Sequence, residues 1–140
     1  MKKIVFVCLG NICRSPMAEF VMKSLTDQLK IESRATSSWE HGNPIHRGTQ
    51  AIFKKYAISY DRNKASQQIS AADFADFDYI IGMDESNVRD LKRMAPEDFQ
   101  HKIYQFEEEG VPDPWYTGDF DQTYDLVLAG CKKWLERLDG

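Results

Sequence analysis

A cysteine and an arginine lie six positions apart in the segment Cys8–Ser15 (CLGNICRS), called here the Cys8 loop. Arg14 can hold two oxygens of a tetrahedral dianion through parallel hydrogen bonds. Successive backbone N–H groups of a tight loop can surround the same anion, and this positive field favours the nucleophilic thiolate form of Cys8. A thiolate beneath a bound phosphate can attack phosphorus in line and form a phosphocysteine intermediate. The spacing therefore predicts a phosphate site with its own nucleophile.

The segments on either side of the loop predict the elements that position it. Ile4–Cys8 is a continuous β-branched and aromatic run, typical of a strand buried on both faces of a parallel sheet. Ser15 and Pro16 suit the N-cap and first position of a helix. The apolar residues that follow at helical spacing are Ala18, Val21, Met22, Leu25 and Leu29. A helix N-terminus after a strand favours an anion site over the alternative that Cys8 is only a small buried residue.

Strands and helices alternate along the rest of the chain. The expected strands lie near 33–36, 78–83 and 102–106, and the expected helices span about 47–56, 85–93 and 120–138. Residues 111–118 (VPDPWYTG) are rich in turn formers and predict a loop. This alternation predicts a doubly wound α/β sandwich, in which ligands bind outside the carboxyl ends of the strands, where the Cys8 loop lies.

A phosphocysteine route needs an acid for the leaving oxygen and a base for the attacking water. Asp113 is the best candidate, because Pro114 favours an extended conformation before it and the neighbouring aromatic residues can line a pocket. An exposed turn is the commoner place for an Asp-Pro pair, so the dipeptide alone leaves the assignment open. Asp119 and Asp121 are the next candidates.

The composition excludes several classes of protein. The 140 residues suit one domain, 1–140, and 42% apolar residues suffice for a core. A net charge of −4 argues against a nucleic-acid partner, and no apolar run approaches the roughly 20 residues of a membrane span. Three cysteines without a disulfide framework indicate a reducing, cytoplasmic setting, although secretion without a signal peptide stays open. His41, His46 and His101 have no metal-ligand spacing, so we expect no metal and no cofactor.

The segment Cys8–Glu19 (CLGNICRSPMAE) closely resembles the active-site signature of the low-molecular-weight protein tyrosine phosphatases. The resemblance spans essentially the whole chain and continues through Ser33, Trp39–Gly42, Asp73-Phe74, Asp78–Ile80, Met83–Asn87 and Asp113–Tyr116. It implies a three-layer sandwich with a central four-stranded parallel sheet flanked by helices, a flavodoxin-like arrangement. It also implies hydrolysis of phosphotyrosine in proteins, and of small aryl phosphates, without a cofactor.

The resemblance assigns roles to individual residues. It implies that Cys8 is the nucleophile, that Arg14 binds the phosphate and that Asp113 is the general acid and then the base. The substrate-binding residues that it implies are Leu9, Gly10, Asn11, Ile12, Cys13, Ser15, Trp39, Trp115 and Tyr116. The aromatic members of this set would form walls on which an aromatic ring stacks.

Further residues are implied to support the loop. Ser15 would stabilise the thiolate as a leaving group, and Asn11 and Ser33 would hold the loop by hydrogen bonds. Oxidation can pair Cys13 with Cys8 in this family, which protects the nucleophile from irreversible oxidation. Whether this chain uses that pairing for regulation stays open.

Two positions depart from the family pattern. The family usually has a histidine, shortly before a basic residue, where this chain has NKAS at 63–66. Either Asn63 takes its place in the network around the loop or the network is thinner, and we assign Asn63 no role. Trp115 stands where relatives often have tyrosine, which keeps an aromatic surface but removes a phosphorylation site.

Three alternative functions are open to such a chain. Thioredoxin-coupled arsenate reductases need two further cysteines near the middle of the chain, but none lies between Cys13 and Cys131, which we expect in the core. Protein-arginine phosphatases typically have threonine where this chain has Ile12. An inactive phosphotyrosine-binding module would lack the nucleophile or the acid.

We therefore expect a protein tyrosine phosphatase whose partner is a phosphotyrosine-containing protein. Phosphate, sulfate and vanadate should compete for its anion site. Exposed aromatic residues such as Trp39 and Trp115 suit substrate contact as well as weak self-association, so a monomer and a weak oligomer both stay open. The physiological substrate and its kinase are not identified by the residues.

Overall fold

The computed structural model describes residues 1–139 of the chain. Four strands alternate with six α-helices and one 3₁₀ helix over these residues. The strands are β1 (Lys2–Cys8), β2 (Leu29–Ala35), β3 (Tyr79–Gly82) and β4 (Ile103–Gln105), and the helices are α1 (Arg14–Leu25), α2 (Arg47–Lys55), α3 (Ala71–Asp76), α4 (Glu85–Met94), the 3₁₀ helix (Glu97–Lys102), α5 (Pro114–Thr117) and α6 (Phe120–Asp139). Within this range no helix combines the length and the apolar character that a membrane crossing requires.

The four strands form one parallel sheet in the order β2-β1-β3-β4. Val5 of the central strand β1 is in register with Glu32 of β2 and Ile80 of β3. Ile4 and Phe6 enter a core with α1, α2 and α6, whereas Val5 enters a second core with α3 and α4. Burial on both faces explains the unbroken apolar run of β1. The predicted three-layer α/β sandwich with a four-stranded parallel sheet is confirmed.

The helix after the Cys8 loop is shorter than its apolar spacing predicted. It ends at Leu25, and Leu29 begins β2 instead of adding another turn. Thr26 is extended, and its hydroxyl accepts a hydrogen bond from the backbone N–H of Gln28 at 3.1 Å. Leu29 still packs against the core. Because this apolar strand residue happens to lie at helical spacing, the pattern extended the predicted helix too far.

Three short helical segments were not predicted, namely α3, α5 and the 3₁₀ helix. α3 carries a capping box between Ser70 and Asp73, a signal that its S-x-x-D pattern contains. α5 lies inside the segment predicted as a loop: Asp113 caps it, Pro114 begins it and Gly118 ends it at φ 72°. A four-residue helix falls below the length at which apolar periodicity is visible.

The order of the strands places the Cys8 loop in a crevice. The chain leaves β1 toward β2 on one side, and β3 pairs with β1 on the other side. At such a switch point, the loops after neighbouring parallel strands diverge and leave room for a ligand. The Cys8 loop follows β1, and Met83 and Asp84 follow β3, so both loops border this crevice.

Candidate active site

The Cys8 loop wraps around a space bordered by backbone N–H groups. Among residues 1–139, no acceptor is found for the backbone N–H groups of Gly10, Ile12 and Cys13. α1 begins directly after Cys13, and no side chain caps it, so its N-terminus is also open to an anion. Ser15 is therefore not the N-cap that its position before proline predicted. Its hydroxyl faces the thiol of Cys8 instead.

The thiol of Cys8 lies among hydrogen-bond donors. Its Sγ is 3.1 Å from Ser15 Oγ and accepts from the backbone N–H of Asn11 at 3.2 Å. Ser15 Oγ already accepts from Asn11 Nδ2 at 2.8 Å, so its own proton can be donated to the sulfur at 3.1 Å or to the carbonyl of Arg34 at 3.4 Å. Hydroxyl and backbone groups that can donate therefore face the sulfur.

Asn11 adopts a left-handed conformation, with φ 56°. Asparagine tolerates this region better than most residues, but it still has to be held there. Its Nδ2 donates to Ser15 and to Ser33 Oγ at 2.9 Å, and its Oδ1 accepts from the backbone N–H of Gln67 at 3.2 Å. These bonds fix the orientation of the amide and hold the loop in its curved form.

Arg14 is almost fully buried beside the loop. Its Nη1 donates to Asp84 Oδ2 at 2.6 Å and to the carbonyl of Val111 at 2.9 Å, while Nη2 lies 3.4 Å from Asp113 Oδ2. Its Nε–H is buried, and nothing in the described part of the chain accepts from it. This donor is available for an oxyanion. Asp84, which the sequence analysis gave no role, orients the guanidinium.

Several charges act on the pKa of Arg14. Burial alone lowers this pKa, but the negative charge of Cys8, the hydrogen bond to Asp84 and the charge of Asp113 outweigh burial and raise it. The guanidinium is therefore charged at neutral pH. A fixed positive charge beside Cys8 supports the binding of an anion.

Asp113 reaches the same space from the other side of the crevice. One carboxylate oxygen caps α5 by accepting from the backbone N–H of Trp115 at 3.0 Å, and the other faces Arg14. The alternative of a fully exposed turn residue does not fit this placement. Asp119 accepts from the backbone N–H of Gln122, and Asp121 pairs with Lys55 on the surface, so neither alternative acid borders the cavity.

A cavity of about 230 Å³ opens between the loop and the Asp113 segment. It brings together every predicted catalytic and substrate-binding residue except Ser15, which is fully buried. The lining residues are Cys8, Leu9, Gly10, Asn11, Ile12, Cys13, Arg14, Trp39, Glu40, Asp113, Trp115 and Tyr116. Trp39 is 78% exposed, Tyr116 77% and Trp115 57%, so these rings form open walls. Glu40 was not predicted, because a lone glutamate in a polar loop carries no sequence signal.

A buried ionic cluster supports the loop from below. Glu19, whose side chain is 2% exposed, accepts from Ser33 Oγ at 2.6 Å and pairs with Lys64 at 3.2 Å and Lys23 at 2.7 Å. Because the hydroxyl of Ser33 donates its hydrogen bond to this carboxylate, the lone pairs of Ser33 are left to accept from Asn11. The negative charge of Glu19 therefore determines that Ser33 donates to Glu19 and accepts from Asn11.

The cluster answers the question that the segment 63–66 left open. Lys64, not Asn63, enters the network: its Nζ also donates to the carbonyl of Ser33 at 3.0 Å. Asn63 is exposed, and its backbone N–H donates to Asp61. The basic residue of the segment therefore enters the network, an outcome that differs from both alternatives of the sequence analysis, which were a substitution by Asn63 and a thinner network. Charge alone does not show whether a lysine faces solvent or a buried carboxylate.

The other two cysteines are protonated and buried. Burial, reinforced by the charges of Cys8 and Asp113, raises the pKa of Cys13 to about 12. Burial likewise raises the pKa of Cys131, which lies in the core as predicted. Cys8, Cys13 and Cys131 are free thiols in this structure. Over residues 1–139, no group of three histidine, cysteine, aspartate or glutamate side chains is arranged to hold a metal ion.

Comparison with known proteins places the chain in a family. The sequence model of the low molecular weight phosphotyrosine protein phosphatases matches residues 3–140. The low molecular weight protein-tyrosine-phosphatase PtpA of Staphylococcus aureus is 46% identical, over 94% of this chain and 90% of its own length.

Solved structures agree with this match. The low molecular weight protein tyrosine phosphatase of Streptococcus pyogenes is 64% identical and superposes with a TM-score of 0.97, over 99% of this chain and 93% of that one. A Drosophila arginine phosphatase is 32% identical with a TM-score of 0.89, over 100% and 99% of the two chains. The fold, the signature loop and these similarities together show that the chain belongs to the low molecular weight phosphotyrosine protein phosphatase family.

Proposed function

We propose that this chain hydrolyses phosphotyrosine in proteins, and small aryl phosphates, in two steps through a phosphocysteine on Cys8. The observation that carries the proposal is one cavity that joins the Cys8 thiol, the unpaired Nε–H of Arg14 and the Asp113 carboxyl group. These are a nucleophile, an anion-binding group and an acid, which are the three groups that the reaction needs.

The first step transfers the phosphoryl group to the enzyme. The backbone N–H groups of the loop and Arg14 bind the non-bridging oxygens, and the Cys8 thiolate attacks phosphorus. The S–P bond forms as the P–O bond to the aryl group breaks. Asp113 gives its proton to the leaving oxygen as this bond breaks.

The second step releases phosphate. Asp113, now ionised, takes a proton from water while the water oxygen attacks phosphorus and the S–P bond breaks. The thiolate of Cys8 leaves with the electron pair. The hydroxyl of Ser15 and the backbone N–H of Asn11 stabilise it, as their 3.1 Å and 3.2 Å distances to the sulfur allow.

The rim of the cavity supports an aromatic substrate. Trp39, Trp115 and Tyr116 present apolar faces around a polar floor, so a phosphorylated aromatic ring can stack while its phosphate reaches the loop. The partner is accordingly a phosphotyrosine-containing protein, and phosphate, sulfate and vanadate act as competing anions. We infer one catalytic domain over residues 1–140, working in the reducing cytoplasm that keeps Cys8 free, as a monomer or a weak oligomer.

The substrate class is tested with matched phosphotyrosine and phosphoarginine peptides. We expect the wild type to release phosphate about 100-fold faster from phosphotyrosine, because Ile12 presents an apolar side chain to the cavity and offers a guanidinium no hydrogen bond. Cys8→Ser serves as the blank. In Ile12→Thr, the ratio of the phosphotyrosine rate to the phosphoarginine rate should be smaller than in the wild type.

A preference of the wild type for phosphoarginine would keep the nucleophile and the mechanism but overturn the substrate. Protein-arginine phosphatase activity is the second candidate, and the similarity to the Drosophila arginine phosphatase is the observation that favours it.

Removal of the buried cation Lys64 should weaken both the fold and the catalytic loop. In Lys64→Met, the buried Glu19 keeps only Lys23, which is partly exposed, as a cation. We expect unfolding free energy to fall by about 2 kcal/mol and kcat to fall by roughly tenfold, because Ser33 and Asn11 are held less firmly. Urea unfolding and aryl phosphate kinetics measure the two effects. Asn63→Ala, one position away and exposed, should change neither; equal effects of both variants would remove Lys64 from the network.

A further inference from the structure

The start of α2 is fixed to the Cys8 loop, although it lines no part of the cavity. The backbone N–H of His46 donates to the carbonyl of Ile12 at 2.8 Å. One turn later, the hydroxyl of Thr49 donates to the carbonyl of Cys13 at 3.2 Å. Because both acceptors belong to the loop that would bind phosphate, the position of His46 relative to the cavity floor is fixed.

The imidazole ring of His46 contacts the opposite side of the crevice. It stacks on Phe120, with ring centroids 5.2 Å apart and planes 18° from parallel. It also meets the ring of Trp115 nearly at right angles, with centroids 5.6 Å apart. Glycine at position 48 allows the start of α2 to lie this close to Phe120, because a Cβ at this position would lie 2.4 Å from Phe120 Cζ.

A hydrogen bond fixes the orientation of this ring. Nδ1 of His46 accepts from the backbone N–H of Gly48 at 2.9 Å, so the ring serves as the N-cap of α2. An accepting Nδ1 has no proton, which leaves the neutral ring with its proton on Nε2. The imidazole therefore has two separable functions: the nitrogen caps a helix, and the ring face packs against aromatic neighbours.

Trp115 differs in its support from the other two walls of the cavity. Among residues 1–139, no aromatic pair includes Trp39 or Tyr116, and both are more than three-quarters exposed. Trp115 has one aromatic partner there, which is His46. The wall nearest to Asp113 is thus held by a residue that is itself tied to the cavity floor.

We propose that His46 is a positioning residue for aryl specificity: its ring holds Trp115 at the distance from the Cys8 loop that an aromatic phosphoester fits. This inference rests on the proposed function, since it concerns the same cavity. His46 thereby keeps the distance between the Trp115 ring and the Cys8 loop constant. The group that His46 selects is the aromatic ring of the ligand, not its phosphate.

Two variants of His46 separate the ring from the cap. His46→Asn keeps a capping acceptor but removes the ring, and His46→Phe keeps a ring but removes the acceptor. We measure Kd for phenylphosphonate and for inorganic phosphate by calorimetry, together with Tm. His46→Asn should weaken phenylphosphonate binding about three- to tenfold, which is the size of an aromatic pair interaction, and leave phosphate binding within about twofold. His46→Phe should restore phenylphosphonate binding and lower Tm.

A double-mutant cycle with Trp115→Ala tests the route of the effect. If His46 acts through Trp115, His46→Asn should weaken phenylphosphonate binding no further in the Trp115→Ala background. The matched control is His41→Asn, an exposed histidine of the same loop, which should bind both ligands as the wild type does.

Three results would overturn the proposal: unchanged phenylphosphonate binding in His46→Asn, equal weakening of phosphate binding, or an undiminished effect in the Trp115→Ala background. The binding measurements need no turnover. Hydrolysis of aryl phosphates by the wild type tests the proposed function separately. A failure of the His46 proposal can therefore be distinguished from a failure of the proposed function.

Discussion

Cys8→Ser is expected to abolish aryl phosphate hydrolysis, with a fall in kcat of at least about 10⁴-fold, while phosphate binding persists. Loss of a covalent nucleophile has effects of this size in enzymes that work through one. A serine hydroxyl stays protonated at neutral pH and is a much weaker nucleophile than a thiolate. The anion site does not depend on the sulfur, because its donors are backbone N–H groups and Arg14. Phosphate should bind at least as tightly once the negative sulfur is gone.

Steady-state kinetics and calorimetry with inorganic phosphate measure the two parts of this prediction. Cys131→Ala is the matched control, because Cys131 is a buried thiol of the core outside the cavity and its removal should leave kcat unchanged. Rapid denaturation of the wild type at alkaline pH, because the S–P bond is labile in acid, should trap one phosphoryl group on Cys8. Turnover retained in Cys8→Ser, or a phosphoryl group found elsewhere, would refute the nucleophile.

Asp113→Asn is expected to lower kcat/KM for phosphotyrosine by about 10²- to 10³-fold, the usual contribution of a general acid. The loss should be smaller for nitrophenyl phosphate, because its leaving group is more acidic and needs less protonation. The amide can still accept from the backbone N–H of Trp115, so α5 and the cavity wall should keep their structure.

The pH profile separates a chemical role of Asp113 from a structural one. A general acid gives the kcat/KM profile a limb that falls with rising pH, and we expect this limb to vanish in Asp113→Asn. Asp121→Asn is the control, since Asp121 is exposed and paired with Lys55, and its profile should match the wild type. An unchanged profile in Asp113→Asn would move the acid role elsewhere, with Asp119 the next residue to test.

The buried cluster beneath the loop has a consequence for the pH range of the enzyme. Two lysines neutralise Glu19, and lysine ordinarily loses its proton only well above neutral pH. A histidine at the position of Lys64 would change charge between about pH 5 and 8. Because this chain has lysine at that position, we expect no histidine titration in the support of Ser33 and Asn11 over this range.

The sequence alone determined the chemistry and the class of fold. A thiol, a guanidinium and a helix start within eight residues specify an anion site locally, because the groups are joined by a short chain that can bend only a few ways. The alternation of buried strands and amphipathic helices predicted the α/β sandwich, since periodicity reports which faces are buried. The residues offered Asp113 as the best candidate for the acid, and the family resemblance implied the same role for it, about 100 positions from Arg14 in the chain.

Only the tertiary structure decided which distant side chains complete the site. Asp84 orients Arg14, Lys64 enters a buried ion pair with Glu19, and His46 joins the cavity floor to the Trp115 wall. Each is a polar residue of an ordinary type in a loop or at an element end, where no periodicity marks its surroundings. Whether such a side chain faces water or a buried partner depends on how separate elements pack, and that packing is a property of the folded chain as a whole.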